Sequence, residues 1–220
     1  MKVPQITLVE VYIEAGPTGE NSADGSAALR RGFESLFQRQ RNLLRKRGIK
    51  LLLTVFGPRS KAYRKFKSGH DKSVPGMVHA LLVDSEEQLP EQGSLNIDAR
   101  KKHLIARDGW DLKGVKPDAI HLMVQCMESW ILADPVVMAD YYGKDFHKTK
   151  LPPQNNLEQE PKEAIEKKLD AATRDTKKGS YHKVHHASQL LMLIDPEKVR
   201  THCPHYGIFA DWLERQGSAN

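Results

Sequence analysis

ITLVEVYIEAG, residues 6–16, gathers Ile6, Leu8, Val9, Val11, Tyr12 and Ile13 in one short run and stops on an acid, Glu14, just before a glycine. Branched and aromatic side chains suit a pleated surface, and a near-continuous apolar run reads as a strand buried on both faces. Strands of that kind belong to parallel sheets with helices on either side. The stretch 5–13 therefore points to an α/β fold. It also draws attention to Glu14, because ligands of open parallel sheets bind beyond the carboxyl ends of the strands.

Working outward, the same pattern recurs. Leu29, Phe33, Leu36, Phe37, Leu43 and Leu44 fall at helical spacing from 26 to 47, with Gly48 as the stop and Arg30, Arg31, Arg39, Arg41, Arg45, Lys46 and Arg47 on the opposite face. IKLLLTVFG (49–57) reads as a second strand, SKAYRKFK as a short basic helix, MVHALLVDSEE (77–87) as a third strand and AIHLMVQC (119–126) as a fourth. MESWILADPVVMADYYG continues from it as an amphipathic helix. Strands alternating with helices predict a mostly parallel sheet flanked by helices. Residues 1–145 read as this α/β domain. Residues 146–220 read as a Pro-, Asn- and Gln-rich linker followed by a basic helical C-terminal extension packed on it.

The bulk composition narrows the function classes. The chain has 220 residues, 39% hydrophobic and 28% charged, which fits a globular protein with one substantial core. A net charge of +6 favours an anionic partner. No apolar run is long enough to span a bilayer, and the N-terminus lacks the pattern of a secretory signal. Two cysteines, Cys126 and Cys203, fit a reduced, cytoplasmic setting better than a disulfide scaffold.

Acids recur at the predicted strand ends: Glu14, then Asp84, Glu86 and Glu87, then Glu128. Residues two apart on a strand share a face, so Asp84 and Glu86 can address one site. Crowded carboxylates repel one another unless a cation or a proton intervenes. Hard divalent ions take oxygen ligands, so this set suits Mg²⁺ or Mn²⁺ and phosphoryl chemistry. The glycine loop GPTGENSADG (16–25) contains neither a P-loop lysine nor G-x-G-x-x-G, and reads as a turn into a helix capped near Ser22, Asp24 or Ser26. His202, Cys203 and His205 lack the paired spacing of a zinc site.

Cations complete the set. Arg59 follows the second strand and suits a bidentate phosphate contact. RDTKKGSYHKVHH carries Arg174, Lys178, His182 and Lys183 around a glycine and a tyrosine, the composition of a nucleic-acid-contacting segment. Lys183 is the cation suited to neutralising transition-state charge, with Arg59, Arg174, Lys178 and His182 as phosphate contacts.

VYIEAG, HALLVDSEE, HLMVQCMESWILAD and ATRDTKKGSYHKVHHASQLLMLIDPEKVR together resemble the DUF4276 family of bacterial proteins, a family considered Toprim-like and related in kind to RloB- and OLD-type nucleases. The resemblance spans most of the chain. The Toprim pattern places a Glu after the first strand and D-x-D after a later one. Carried over, Glu14 is the first acid, and Asp84 and Glu86 stand at the D-x-D positions, with Glu86 one methylene longer than the usual Asp. The resemblance implies a metal-dependent nuclease in which Glu14, Asp84 and Glu86 hold metal and Glu14, Asp84, Glu86, Glu128 and Lys183 form the catalytic set. It further implies DNA, tRNA or another RNA as substrate, and an ABC- or OLD-like ATPase partner in an anti-phage defence system. A non-catalytic nucleotide- or partner-binding subunit, a phosphohydrolase of small nucleotides and self-association stay open on the sequence.

Overall fold

The computed structural model describes residues 5–15, 22–89 and 96–218. Four strands, β1 (Leu8–Glu14), β2 (Lys50–Phe56), β3 (Met77–Asp84) and β4 (Ile120–Met123), form one all-parallel sheet in the order β2-β1-β3-β4. β1 lies in the middle, and its alternating side chains feed two cores. Val9, Val11 and Ile13 face one layer with Ala80 and Leu82. Tyr12 faces the other with Leu81 and Val83, where it meets Ala62 and Phe66 of α3 (Arg59–Asp71) and Leu104 of α4 (Ile97–Asp108). Each connection crosses through helix, as parallel neighbours require. All four strands end at the same edge of the sheet.

The first layer joins the two ends of the chain. α1 (Ser22–Leu36) packs against α8 (His185–Leu193), and α2 (Gln38–Lys46) and β4 pack against α10 (Pro204–Arg215). A Cβ on Gly32 would lie 2.9 Å from the Leu191 Cβ and 3.0 Å from the Ser188 carbonyl oxygen, so glycine is what lets α1 and α8 approach. Trp130, buried on α5 (Glu128–Leu132), meets Phe33, Phe37 and Tyr206 edge to face. Such aromatic contacts add to plain area burial. Leu157, and Ile165 and Leu169 of α7 (Lys162–Thr173), belong to this same core.

Local chemistry explains where elements end differently from the sequence periodicity. The 26–47 helix is two helices, because Phe37 leaves helical geometry (φ −99°, ψ 24°) while its ring stays buried. The 127–143 helix is also two, α5 and α6 (Pro135–Tyr142). Pro135 has no N–H to donate and disfavours helix in the residue before it, and the Asp134 carboxylate instead caps α6 by accepting from the Val137 amide at 3.3 Å. β3 stops at Asp84, not at Glu87, since Glu86 adopts φ +68° and cannot extend a strand. α4, which its charged sequence conceals, is fixed by Asn96 accepting from the Asp98 amide and by Gly109 in the left-handed region. α9 (Pro196–His202) completes the set. The loop 16–21 lies outside the described residues. No described helix is long and apolar enough to cross a membrane.

Candidate functional site

The carboxyl edge of the sheet gathers the acids. One carboxylate oxygen from each of Glu14, Asp84 and Glu86 lies within 4.8 Å of the others, the one group of metal-ligating type among the described residues. Glu14 ends β1 and Asp84 ends the neighbouring β3, so strand pairing sets their separation. Glu86 comes in from the turn that follows. Its amide donates to the Gln125 carbonyl at 3.0 Å, and Gln125 itself takes φ +65°. The Ser85 hydroxyl accepts from the Gln125 amide at 2.8 Å, and the Ser85 carbonyl lies 2.9 Å from His103 Nε2. Two left-handed non-glycine residues, held by these bonds between the turns at 85–86 and 125, are a form of backbone strain that clusters at functional sites.

Asp84 is 2% exposed and Glu128, the first residue of α5, is 4% exposed. Each has one oxygen fixed and one left toward the same amine. Asp84 Oδ1 accepts from the Met127 amide at 2.9 Å, and Oδ2 lies 3.7 Å from Lys183 Nζ. Glu128 Oε1 accepts from the Tyr181 hydroxyl at 3.1 Å, and Oε2 lies 3.8 Å from Lys183 Nζ. Lys183 and Tyr181 both come from the turn before α8, so the C-terminal region closes the site.

Two more cations complete the ring. Arg59 Nη1 donates to Glu14 Oε2 at 3.0 Å and also to the Asp84 carbonyl. Its Nε and Nη2 take both oxygens of Asp108, at 3.0 and 2.7 Å, and its guanidinium lies 5.0 Å from the Trp110 ring centroid. This fork-to-fork pairing fixes the plane of the guanidinium. Lys162, at the start of α7, donates to Glu86 Oε2 at 2.7 Å.

The titration directions follow this geometry. Burial above all pushes Asp84 far above the usual carboxylate range; Lys183 pulls the other way, and Glu14 and Glu128 add to the rise. Burial likewise raises Glu14 against the attraction of Arg59. Glu86 differs: burial opposes it, yet the Lys162 hydrogen bond and charge hold it below its ordinary value. Lys183 is desolvated too, and the Glu128 and Asp84 charges nevertheless hold its ammonium well above the ordinary lysine range.

Of the residues the sequence singled out, Glu14, Asp84, Glu86, Glu128, Arg59 and Lys183 meet in this cluster. Arg174 and Lys178 do not. Arg174 pairs with Asp170 at 2.8 Å on the surface, and the Lys178 ammonium sits 4.8 Å from the Tyr141 ring centroid. His182 turns away from Lys183, and its Nδ1 accepts from the Val184 and His185 amides at 3.2 Å each. Lys162, Tyr181 and Asp108 are the site residues that sequence reasoning missed. Tyr181 alone had a signal, since it sits two residues before Lys183 in the same basic stretch.

The family model described as a domain of unknown function, DUF4276, matches residues 22–214. No curated protein and no solved structure matches the chain.

Proposed function

The chain belongs to the DUF4276 family, and from that premise we propose that it is a metal-dependent nuclease hydrolysing phosphodiester bonds of DNA or RNA. The observation that supports this reading is the convergence of Glu14, Asp84 and Glu86 oxygens within 4.8 Å at the carboxyl edge of a parallel sheet. The donor set fits the ion: three carboxylates suit a hard divalent cation, and burial above all raises two of them, Asp84 and Glu14, so that a bound cation would offset the cost of ionising them there. Glu14, Asp84 and Glu86 would hold Mg²⁺ or Mn²⁺. When bound, such an ion polarises a phosphoryl oxygen and eases deprotonation of water.

The chain's own groups do the rest. Asp108, Glu14 and the Asp84 carbonyl take four of the five Arg59 donors and fix the guanidinium, so the bidentate grip expected from the sequence gives way to a single Nη2 contact with a non-bridging phosphate oxygen. Lys183 keeps its proton in the site and sits where negative charge accumulates, a role that grows in the transition state. Tyr181 orients Glu128, leaving one oxygen to accept a proton from water or to hold that water in place. Lys162 fixes the Glu86 carboxylate. The Toprim-like relationship, an ATPase partner and a role in anti-phage defence stand on the resemblance of the sequence.

One observation favours a second reading. Every acid of the cluster already has a cationic partner, Arg59 for Glu14, Lys162 for Glu86 and Lys183 for Asp84 and Glu128, as in a structural ion-pair network. A non-catalytic nucleotide- or partner-binding subunit would need nothing more. Cleavage of labelled DNA and RNA with Mn²⁺ or Mg²⁺ separates the two. The hydrolytic reading expects cleavage that falls by about two orders of magnitude or more in Glu14→Ala and Asp84→Ala. Wild-type activity in both variants, or calorimetry showing no Mn²⁺ uptake by the unmutated protein, removes it.

A further inference from the structure

The turn that closes the site points two ways. Lys183 enters the acidic cluster, while His182 and His185 line a separate cavity of about 680 Å³ whose other wall is α1, with Asp24, Ala28 and Arg31. His182 directly precedes Lys183, so one turn of the chain supplies a side chain to the acidic cluster and a side chain to this cavity. We propose that the cavity is a second subsite, which takes the phosphate and sugar of the nucleotide flanking the bond addressed by the acidic cluster. The idea of a flanking position rests on the hydrolytic reading; the binding site itself does not.

Three features give the ligand its chemistry. His182 Nδ1 is occupied by two backbone amides, which places its proton on Nε2 and makes that nitrogen a donor. Arg31 is exposed and enters no ion pair among the described residues, whereas Arg39 and Arg41 of α2 are taken up by Glu197, Glu214 and Glu34. A free guanidinium beside an imidazole N–H suits a phosphate group. Asp24, on the same wall, disfavours a ligand that is anionic throughout and offers an acceptor for a hydroxyl or amino group. An anion joined to a hydrogen-bond donor is what one nucleotide presents through its phosphate and its sugar or base. The cavity therefore fits a stretch of single strand lying across the edge of α1.

The test is fluorescence anisotropy of short labelled single-stranded RNA and DNA without divalent metal, so that nothing is cleaved. Arg31→Ala is expected to weaken binding about tenfold, the effect of losing one charged hydrogen bond. It should also lower the slope of log Kd against log salt by about 0.7, one single-strand phosphate contact. His182→Asn keeps an acceptor for the two amides of α8 while withdrawing the Nε2 donor, and is expected to weaken binding about threefold with an unchanged melting temperature. An Arg31→Ala affinity and salt slope indistinguishable from wild type overturn the subsite, as does a wild-type protein that binds neither strand. Intact Arg31 dependence in a protein that never cleaves either strand overturns the hydrolytic reading and leaves the subsite standing.

Discussion

At the scale of single residues, Asp84 shows how the site and the fold oppose each other. Its folded-state pKa is raised by burial, so the native protein keeps a proton that the unfolded chain releases. Stability from this group is therefore present below the ordinary carboxylate range and is lost as pH rises toward the raised value. Asp84→Asn keeps an oxygen for the Met127 amide and removes the buried charge. We expect this variant to melt several degrees above the metal-free wild type, with a gap that widens as pH rises above the ordinary carboxylate range toward the raised value. Mn²⁺ at one hundred times its Kd should add about 2.7 kcal/mol to the wild type and nothing to the variant. Thermal melts across pH, with and without Mn²⁺, check both; a gap that narrows with rising pH contradicts the assignment.

Glu158 and His205 form a second buried pair with no catalytic role in this reading. Glu158 Oε1 accepts from the His205 amide at 2.8 Å, and Oε2 lies 2.7 Å from Nδ1 of the same residue. Both are almost fully buried. Glu158→Ala leaves two buried nitrogens without partners and should cost about 3 kcal/mol in chemical denaturation. Glu158→Gln, which can still accept one hydrogen bond, should cost less.

At the scale of elements, Asp134 ties α6 to α9. One oxygen accepts from the Val137 amide at 3.3 Å and from Lys198 Nζ at 2.7 Å, and the other from the Asp195 amide at 3.2 Å. Burial works against its charge, but these partners hold its carboxyl below the usual range. Asp134→Ala should cost about 2 kcal/mol by denaturant titration, the upper range for a lost helix cap. A cost near zero would mean that α9 is positioned by packing alone. The same residue shows what the sequence reveals at this scale. Pro135 marked a break that the apolar periodicity of 127–143 concealed, because period reports burial and not backbone continuity. β1 and β2 were legible since their branched side chains have no alternative use, whereas α4 buries little beyond Leu104 and Arg100 and shows no apolar stripe.

The candidate site was legible in proportion to how local its signals are. Glu14, Asp84 and Glu86 announce themselves at strand ends, and Arg59 follows directly on a strand. Asp108 and Lys162 matter only through partners 49 and 76 residues away in sequence, and no local pattern carries such a pairing. Lys178 and Arg174 looked like Lys183 in the sequence; the bend at Gly179, with φ +74°, sets them on a different face.

At the scale of the molecule, the site is complete only because the two ends of the chain share one core. Residues before Gly143 supply Glu14, Arg59, Asp84, Glu86 and Glu128, while Lys162, Tyr181 and Lys183 come from beyond it. The later residues are also structural, since α8 covers α1 and α10 covers β4. A chain ending at Gly143 would expose Leu29, Phe33, Phe37 and Trp130, all fully buried here, as one contiguous apolar surface. It would also leave Asp84 and Glu128 desolvated without the amine they share. We expect this truncated protein to be insoluble or molten, binding a hydrophobic dye and lacking near-ultraviolet dichroism. The intact protein carrying Lys183→Met should fold but melt below the wild type, since two buried carboxylates lose their shared cation, with cleavage reduced about a hundredfold. If the truncated chain folds cooperatively, the C-terminal helices are an accessory to the α/β core. If it does not, the Lys183 amine and the cover of the sheet belong to one element, and losing the fold loses the site.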